Sequence, residues 1–306
     1  MKTMQQAAAQ NAERLVFDRA LVRARLARAI RGGAVDFLLA RAADDLGDRL
    51  ATVLREFELA LDLGTPGGHV TKRLLQRDRL GAVVRAAPLR EPTAPGLLAL
   101  VADEEALPFA PARFDLIVSA LALQWANDLP GALIQIRRAL KPDGLLLGCL
   151  VGGRTLFELR QALASAEVEI EGGASPRVAP FTDVRDMGGL LQRAGFALPV
   201  ADVDTIVVRY ADPIGLMHDL RAMGATNALS QRRRTPLKRA VLLRACEVYA
   251  EQFADTDGRI RATFELVWFS GWSPHESQPK PARPGSASRR LADALGVAEI
   301  RLKDAS

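Results

Sequence analysis

The stretch Leu61-Asp62-Leu63-Gly64-Thr65-Pro66-Gly67-Gly68 joins an apolar run to a helix-forming one and holds the most chemistry in the chain. A glycine-rich turn at such a junction lets backbone N–H groups approach a ligand at the carboxyl edge of a sheet. Asp62 sets a carboxylate beside that turn. Taken alone, the pattern reads equally well as a structural strand–turn–helix junction. Two further places carry polar or aromatic groups just after apolar runs: Asp103 with Glu104, and Gln124 with Trp125. Asp103 suits ligand contact or a loop carboxylate. Trp125 suits the mouth of a substrate site or ordinary packing at the domain surface. No catalytic base stands out, and no Ser–His–Asp or Cys–His arrangement is present.

These residues need elements to position them. Apolar runs at 57–63, 82–84, 97–101, 114–119 and 145–150 predict five strands. Helices fit 14–31, 35–55 and 69–76, and Asp128 caps another whose inner face is Leu129, Leu133, Ile136 and Leu140. The run Lys141-Pro142-Asp143-Gly144 predicts a turn. Strands that alternate with helices and are apolar throughout predict a doubly wound α/β sheet covered on both faces. Beyond it, Thr155 and Glu158 predict a capping box at the start of a helix. A loop follows at 171–180, then a helix from about Asp183 to Gly195. Strands at 205–209 and 262–269 enclose helices at 213–223 and 236–253. The expected organisation is a helical lead over 1–56, a sheet core over 57–150, a cap with remaining strands over 151–272 and a Pro-rich arm and tail over 273–306. The cap is expected beside the ligand edge.

Composition narrows the classes. A chain of 306 residues that is 49% apolar and 25% charged builds a real core, so a fully disordered chain is excluded. No apolar run reaches about 18 residues, the length a membrane helix needs. Only Cys149 and Cys246 are present, too few for a disulfide framework. The opening MKTMQQAAAQNAER lacks an apolar signal core, and the expectation is a cytoplasmic protein. His69, His218 and His275 lie far apart, and no zinc-type spacing occurs. A net charge of +5 is modest and scattered, which predicts no nucleic-acid partner. Its densest clusters, Arg23 to Arg31 and Arg232 to Arg239, read as solvated faces or as contacts to an acidic partner or an anionic membrane.

The combination Asp103-Glu104-Glu105-Ala106-Leu107-Pro108-Phe109, Phe114-Asp115-Leu116-Ile117-Val118-Ser119 and Leu140-Lys141-Pro142-Asp143-Gly144 resembles the class I S-adenosylmethionine-dependent methyltransferases. Phe17-Asp18-Arg19-Ala20 and the run Leu121 to Leu129 resemble the biotin-synthesis methyltransferase group. The stretches at 152–160, 171–176, 219–224, 275–278 and 283–287 resemble its relative, the mitochondrial assembly-factor family of respiratory complex I, over about residues 14–288. The resemblance implies a Rossmann-like methyltransferase sheet with N-terminal helices and a C-terminal cap. It implies S-adenosylmethionine as cofactor, bound through Asp62, Gly64, Gly67, Gly68, Asp103 and Glu104, with Gln124 and Trp125 on the substrate side. It also implies a protein partner, with a complex I iron–sulfur subunit as the candidate, and contact with the inner face of the inner membrane. Methyl transfer, arginine hydroxylation and non-catalytic assembly are the three activities it leaves open.

Two departures from the family pattern bear on the cofactor. Pro66 stands at the middle glycine, with Gly67 one position off. Arg85 stands where the pattern has the carboxylate that receives the ribose hydroxyls, and Glu91 is the nearest later acid. Arg85 itself is read as a surface side chain. Together the two changes predict weak or absent binding. For an iron centre, His275, Glu276 and His218 are the residues to consider, with a structural hydrogen bond the expected role of His275.

Overall fold

Strands covered on both faces must be apolar on both sides, and the sheet is built from such runs. In the computed structural model, which describes residues 15–279 and Gly296, they form β1 (Phe57–Leu63), β2 (Leu80–Ala87), β3 (Leu98–Val101), β4 (Phe114–Ala120) and β5 (Leu140–Val151). All five pair in parallel. Two long antiparallel strands, β6 (Ala197–Tyr210) and β7 (Ile260–Trp272), extend the same sheet in the order β3-β2-β1-β4-β5-β7-β6. The order reverses direction at β1 and β4. In open α/β sheets that switch point opens a crevice at the carboxyl ends of the strands.

The helices are α1 (Arg19–Arg31), α2 (Phe37–Ala51), α3 (His69–Leu75), α4 (Leu129–Ala139), α5 (Phe157–Glu171), α6 (Val184–Arg193), α7 (Pro213–Ala222) and α8 (Arg239–Phe253). Their starts follow the acceptor logic of N-caps. Asp18, Asp128, Asp183 and Asp212 each accept a hydrogen bond from a first-turn N–H. Alternation along β4 divides the core. Leu116 and Val118 face one layer with Leu46, Leu159 and Trp268. Ile117 faces the other with Leu133, Ile136, Leu191 and Phe269.

Several local expectations are corrected. The Thr155–Glu158 capping box does not form. Thr155 instead exchanges hydrogen bonds with the Glu265 backbone at 3.2 and 2.9 Å, and Glu158 accepts from the Thr263 backbone and hydroxyl, because β7 lies against this helix start. Helix α5 therefore opens after Leu156, at φ 54°. The turn at 141–144 loops out within β5: Phe114 pairs with Leu140 and Leu116 with Leu145. Strand β6 runs fourteen residues, far beyond the expected 205–209, because only every second side chain meets the core.

Among the described residues, those up to Pro274 cluster as one compact unit and those from His275 as a second. In the second unit His275 Nδ1 lies 2.7 Å from the Ser277 hydroxyl, the structural bond expected of it. Pro281 and Pro284 of the expected Pro-rich arm lie outside the described residues. Among the described residues, no helix is long and apolar enough to cross a membrane. No group of three or more His, Cys, Asp or Glu among them is placed to hold a metal ion.

Candidate functional site

The turn after β1 is shaped by two glycines. Gly64 sits at φ +72°, and its N–H donates to Ala86 O at 2.6 Å. A Cβ there would lie 2.8 Å from Glu104 Oε1 and 2.9 Å from Ala122 Cβ, so only glycine admits the Glu104 carboxylate. Gly67 takes the second positive φ, +65°, directly after Pro66. The Gly67 N–H donates to Glu91 Oε2 at 2.9 Å. Thr65 fixes the turn from below, accepting from the Ala120 N–H at 3.1 Å through its hydroxyl and from Arg85 through its carbonyl.

A cavity of about 350 Å³ opens at this edge. Gly64, Pro66, Gly67, Glu91, Glu104 and Gln124 form its polar end. Leu26, Leu156, Phe181, Leu220 and Phe264 are among its apolar lining residues, and Trp125 lines it too. A second chamber of about 160 Å³ shares Trp125, Leu156, Phe181, Leu220 and Ala225 with it. Trp125 is held edge-on against Phe17 at 5.3 Å and Phe181 at 6.3 Å between ring centres. Gln124 donates through Nε2 to Leu121 O at 2.8 Å, which leaves its buried Oε1 without a hydrogen-bond partner.

The acids after β3 are tied down by α1. Arg19 lies 2.9 Å from Asp103 and 3.0 Å from Glu105, and also pairs with Glu104; Arg23 pairs with Asp103. Burial pushes the Glu104 carboxyl above its usual range, against the opposing pull of its own backbone N–H and of Arg19. Asp62 is fully buried and accepts from the Thr71 hydroxyl at 2.6 Å. Burial raises its carboxyl too, opposed by the Thr65 and Thr71 hydroxyls and by Arg85.

Of the residues singled out in the sequence, Gly64, Gly67, Glu104, Gln124 and Trp125 line one cavity. Asp62, Gly68 and Asp103 stand behind its wall: Asp62 under the turn, Gly68 as the N-cap position of α3, Asp103 in the arginine network. The surface position expected for Arg85 is corrected. Its side chain is 4% exposed and pairs with Glu91 at 2.9 Å, because β2 carries it beneath the glycine turn in register with Asp62. Sequence reasoning did not assign roles to Glu91 and Arg19. Glu91 was visible only as the nearest later acid, and Arg19 only within the Phe17-Asp18-Arg19-Ala20 likeness. The basic cluster near Arg232 is largely paired: Arg232 with Asp18 at 3.2 Å, and Arg233 and Lys238 with Glu171. Burial in β5 pushes the Cys149 thiol up to about 12, so it stays an inert core group.

Residues 61–148 match the family model of a methyltransferase domain. Arginine-hydroxylase NDUFAF5, mitochondrial, of Danio rerio is 39% identical over 94% of this chain and 91% of its own length. The Homo sapiens protein of the same name is 41% identical, over 89% and 81%. Malonyl-[acyl-carrier protein] O-methyltransferase of Halorhodospira halophila is 38% identical, over 80% and 84%. The chain belongs to this methyltransferase family. Among solved structures, the YcgJ protein of Bacillus subtilis superposes with a TM-score of 0.52 at 14% identity, over 75% of this chain and 98% of that one. That likeness is one of fold alone. The expected cytoplasmic location is overturned by the NDUFAF5 relatives, which are named as mitochondrial proteins. The cysteine count and the opening residues that suggested cytoplasm fit any reducing compartment equally well.

Proposed function

We propose that this family member binds S-adenosylmethionine at the glycine-turn end of its cavity and modifies a protein subunit during respiratory complex I biogenesis, with an iron–sulfur subunit as the candidate substrate. One observation carries the reading. Gln124 Oε1, a buried acceptor without a hydrogen-bond donor, and the Glu91 carboxylate, whose Oε1 meets the Arg85 guanidinium at 2.9 Å, belong to residues that line one cavity at the switch point of the sheet. Buried polar atoms want partners, and a ligand rich in hydroxyl and ammonium donors supplies them. A nucleoside sulfonium fits that demand. The weak binding expected from Pro66 and Arg85 supposed a turn without its second positive φ and a site without a carboxylate. Gly67 offers the first and Glu91 the second.

In this reading the backbone of Gly64, Gly67 and Gly68 admits the cofactor, with Asp62 supporting the turn from beneath. Asp103 and Glu104 stand at the edge where the base would lie, oriented by Arg19 and Arg23. When bound, the cofactor supplies an electrophilic methyl group. Gln124 and Trp125 face the substrate, where an amide acceptor and an aromatic face suit a cationic or amide-bearing side chain. The apolar chamber around Phe181 and Leu156 excludes water from it.

Arginine hydroxylation is the second reading, favoured by the NDUFAF5 relatives' name and by the same acceptor, carboxylate and indole set of Gln124, Glu104 and Trp125. Intact-mass measurement on the candidate subunit, incubated with this chain and S-adenosylmethionine, separates the readings. Gain of one methylene's mass is the expected result. Gain of one oxygen's mass in cells that carry the protein selects hydroxylation, and an unchanged mass in both settings contradicts an enzymatic role.

A further inference from the structure

We infer that Arg25, Arg28, Arg221 and Arg232, gathered along one wall of the cavity, form the surface on which an acidic stretch of the protein substrate docks; the inference rests on the reading that a protein side chain enters this cavity. The wall is the segment from Gly224 to Leu229. Gly224 and Ala225 line the large cavity, and Ala225 to Ala228 line the second chamber. Helix α1 packs against this segment. Gly224 sits at φ +75°, and a Cβ there would lie 3.0 Å from Leu26 Cα, so only glycine lets the two chains approach this closely. Arg25 donates from Nη1 to Asn227 O, and Arg232 from Nη1 to Leu229 O at 3.0 Å.

The contacts that fix the wall also gather like charge. Arg28 lies one helical turn beyond Arg25. Arg221 stands at the end of α7, where its carbonyl accepts from the Gly224 N–H at 3.0 Å. Asp18 is the acid set beside them, 3.2 Å from Arg232 and already accepting from the Leu21 N–H. Among the described residues, no carboxylate pairs with Arg25, Arg28 or Arg221. Arg28 and Arg221 are exposed, and Arg25 is half-buried. Burial, and then Arg232, Arg28 and Arg221, hold the Arg25 guanidinium below its usual range, with Asp18 opposing. A solvated face lets long side chains spread their charge into water. Here packing keeps a half-buried guanidinium among three others, and bound carboxylates relieve that repulsion. A protein chain suits the patch better than a lipid surface. Arg25 is sunk between α1 and the wall segment, where a carboxylate on a flexible side chain reaches and a flat headgroup layer does not. An acidic stretch seated there leaves the residues next to it beside both chambers, which share this wall.

Fluorescence anisotropy of labelled hexaglutamate and hexalysine peptides tests this on the full chain. At low salt the wild type is expected to bind hexaglutamate at least about tenfold more tightly, and about 0.5 M salt should remove most of the difference. Arg28→Glu with Arg221→Glu is expected to weaken hexaglutamate binding about tenfold, the worth of a few exposed ion pairs. Arg113 and Arg138 are exposed neighbours at the opposite edge of the sheet, where the Ala112 N–H donates to Arg138 O at 2.9 Å. The same charge change there, Arg113→Glu with Arg138→Glu, should weaken binding by less than about twofold. Thermal melting checks each fold. Should the Arg28 and Arg221 reversal not fold, Arg28→Gln with Arg221→Gln decides. Equal loss in both double variants, or a wild type without the preference, overturns the inference. So does loss of binding to phosphatidylglycerol vesicles in the Arg28 and Arg221 variant while its hexaglutamate binding stays intact, which assigns the patch to a membrane surface. Titration of S-adenosylhomocysteine into the same samples keeps the two readings apart. Absence of binding there, with the peptide preference intact, contradicts the nucleoside reading and leaves the docking surface standing.

Discussion

The two ends of the cavity are held by different forces. At the end formed by the carboxyl edge of β1 and β2, directional contacts dominate: Gly67 N–H to Glu91, Arg85 to Thr65 O, Arg19 to Asp103 and Glu105. Around Trp125 and the chain beyond β5 the contacts are apolar and aromatic: Phe17 and Phe181 meet Trp125 edge to face, and Leu156 and Phe264 line the cavity beside them. Hydrogen bonds and ion pairs fix atom positions within tenths of an ångström, whereas apolar packing fixes volume and tolerates rearrangement. A cofactor of constant shape suits the first end. A variable protein side chain suits the second.

Breaking the directional end should cost most. Gly64→Ala forces a Cβ into Glu104 and Ala122 at a positive φ, and should destabilise the fold by about 2–4 kcal/mol in denaturant unfolding. Arg19→Ala strands the buried Glu104 carboxylate and releases Asp103 and Glu105, at a cost of about 2–3 kcal/mol at pH 7. The sign with pH follows from the raised Glu104 carboxyl. Losing Arg19 raises it further, protonation of the folded state then relieves the stranded charge, and the loss should shrink between pH 7 and pH 5.

The apolar end should behave otherwise. Trp125→Ala removes two edge contacts and should cost about 1–2 kcal/mol. It should leave S-adenosylhomocysteine affinity within about twofold by calorimetry while reducing modification of the protein substrate. Equal loss at both steps would erase the distinction between the two ends. The smallest effect is expected at Asp62→Asn, within about 1 kcal/mol at pH 7, since an amide oxygen still accepts from Thr71. Burial holds the Asp62 carboxyl above its unfolded value, so folding takes up a proton there. The wild type should therefore gain stability relative to the variant as pH falls through that raised value.

The same contrast explains what was legible in the sequence. Apolar runs and the cap at Asp128 are local signals, and they predicted the parallel strands and the helices that cover them. The glycine turn was visible because its residues are consecutive. Glu91 was not assigned a role because its function depends on a chain reversal between β2 and β3 that brings it back over Gly67, twenty-four positions away. Arg85 was misread because a lone arginine in a strand carries no mark of a buried partner. Thr155 and Glu158 matched a capping box by spacing, but β7, over a hundred residues later, took both side chains. Contacts of that sequence separation leave no periodic trace.

The central claim is that the directional end of this cavity is a nucleoside pocket, and titration of S-adenosylhomocysteine into the full wild-type chain tests it most directly. The account predicts saturable one-site binding with a dissociation constant of about 1–100 µM. Absence of binding up to about 1 mM would contradict it, and would show that Pro66 and the Arg85–Glu91 pair close the pocket they surround.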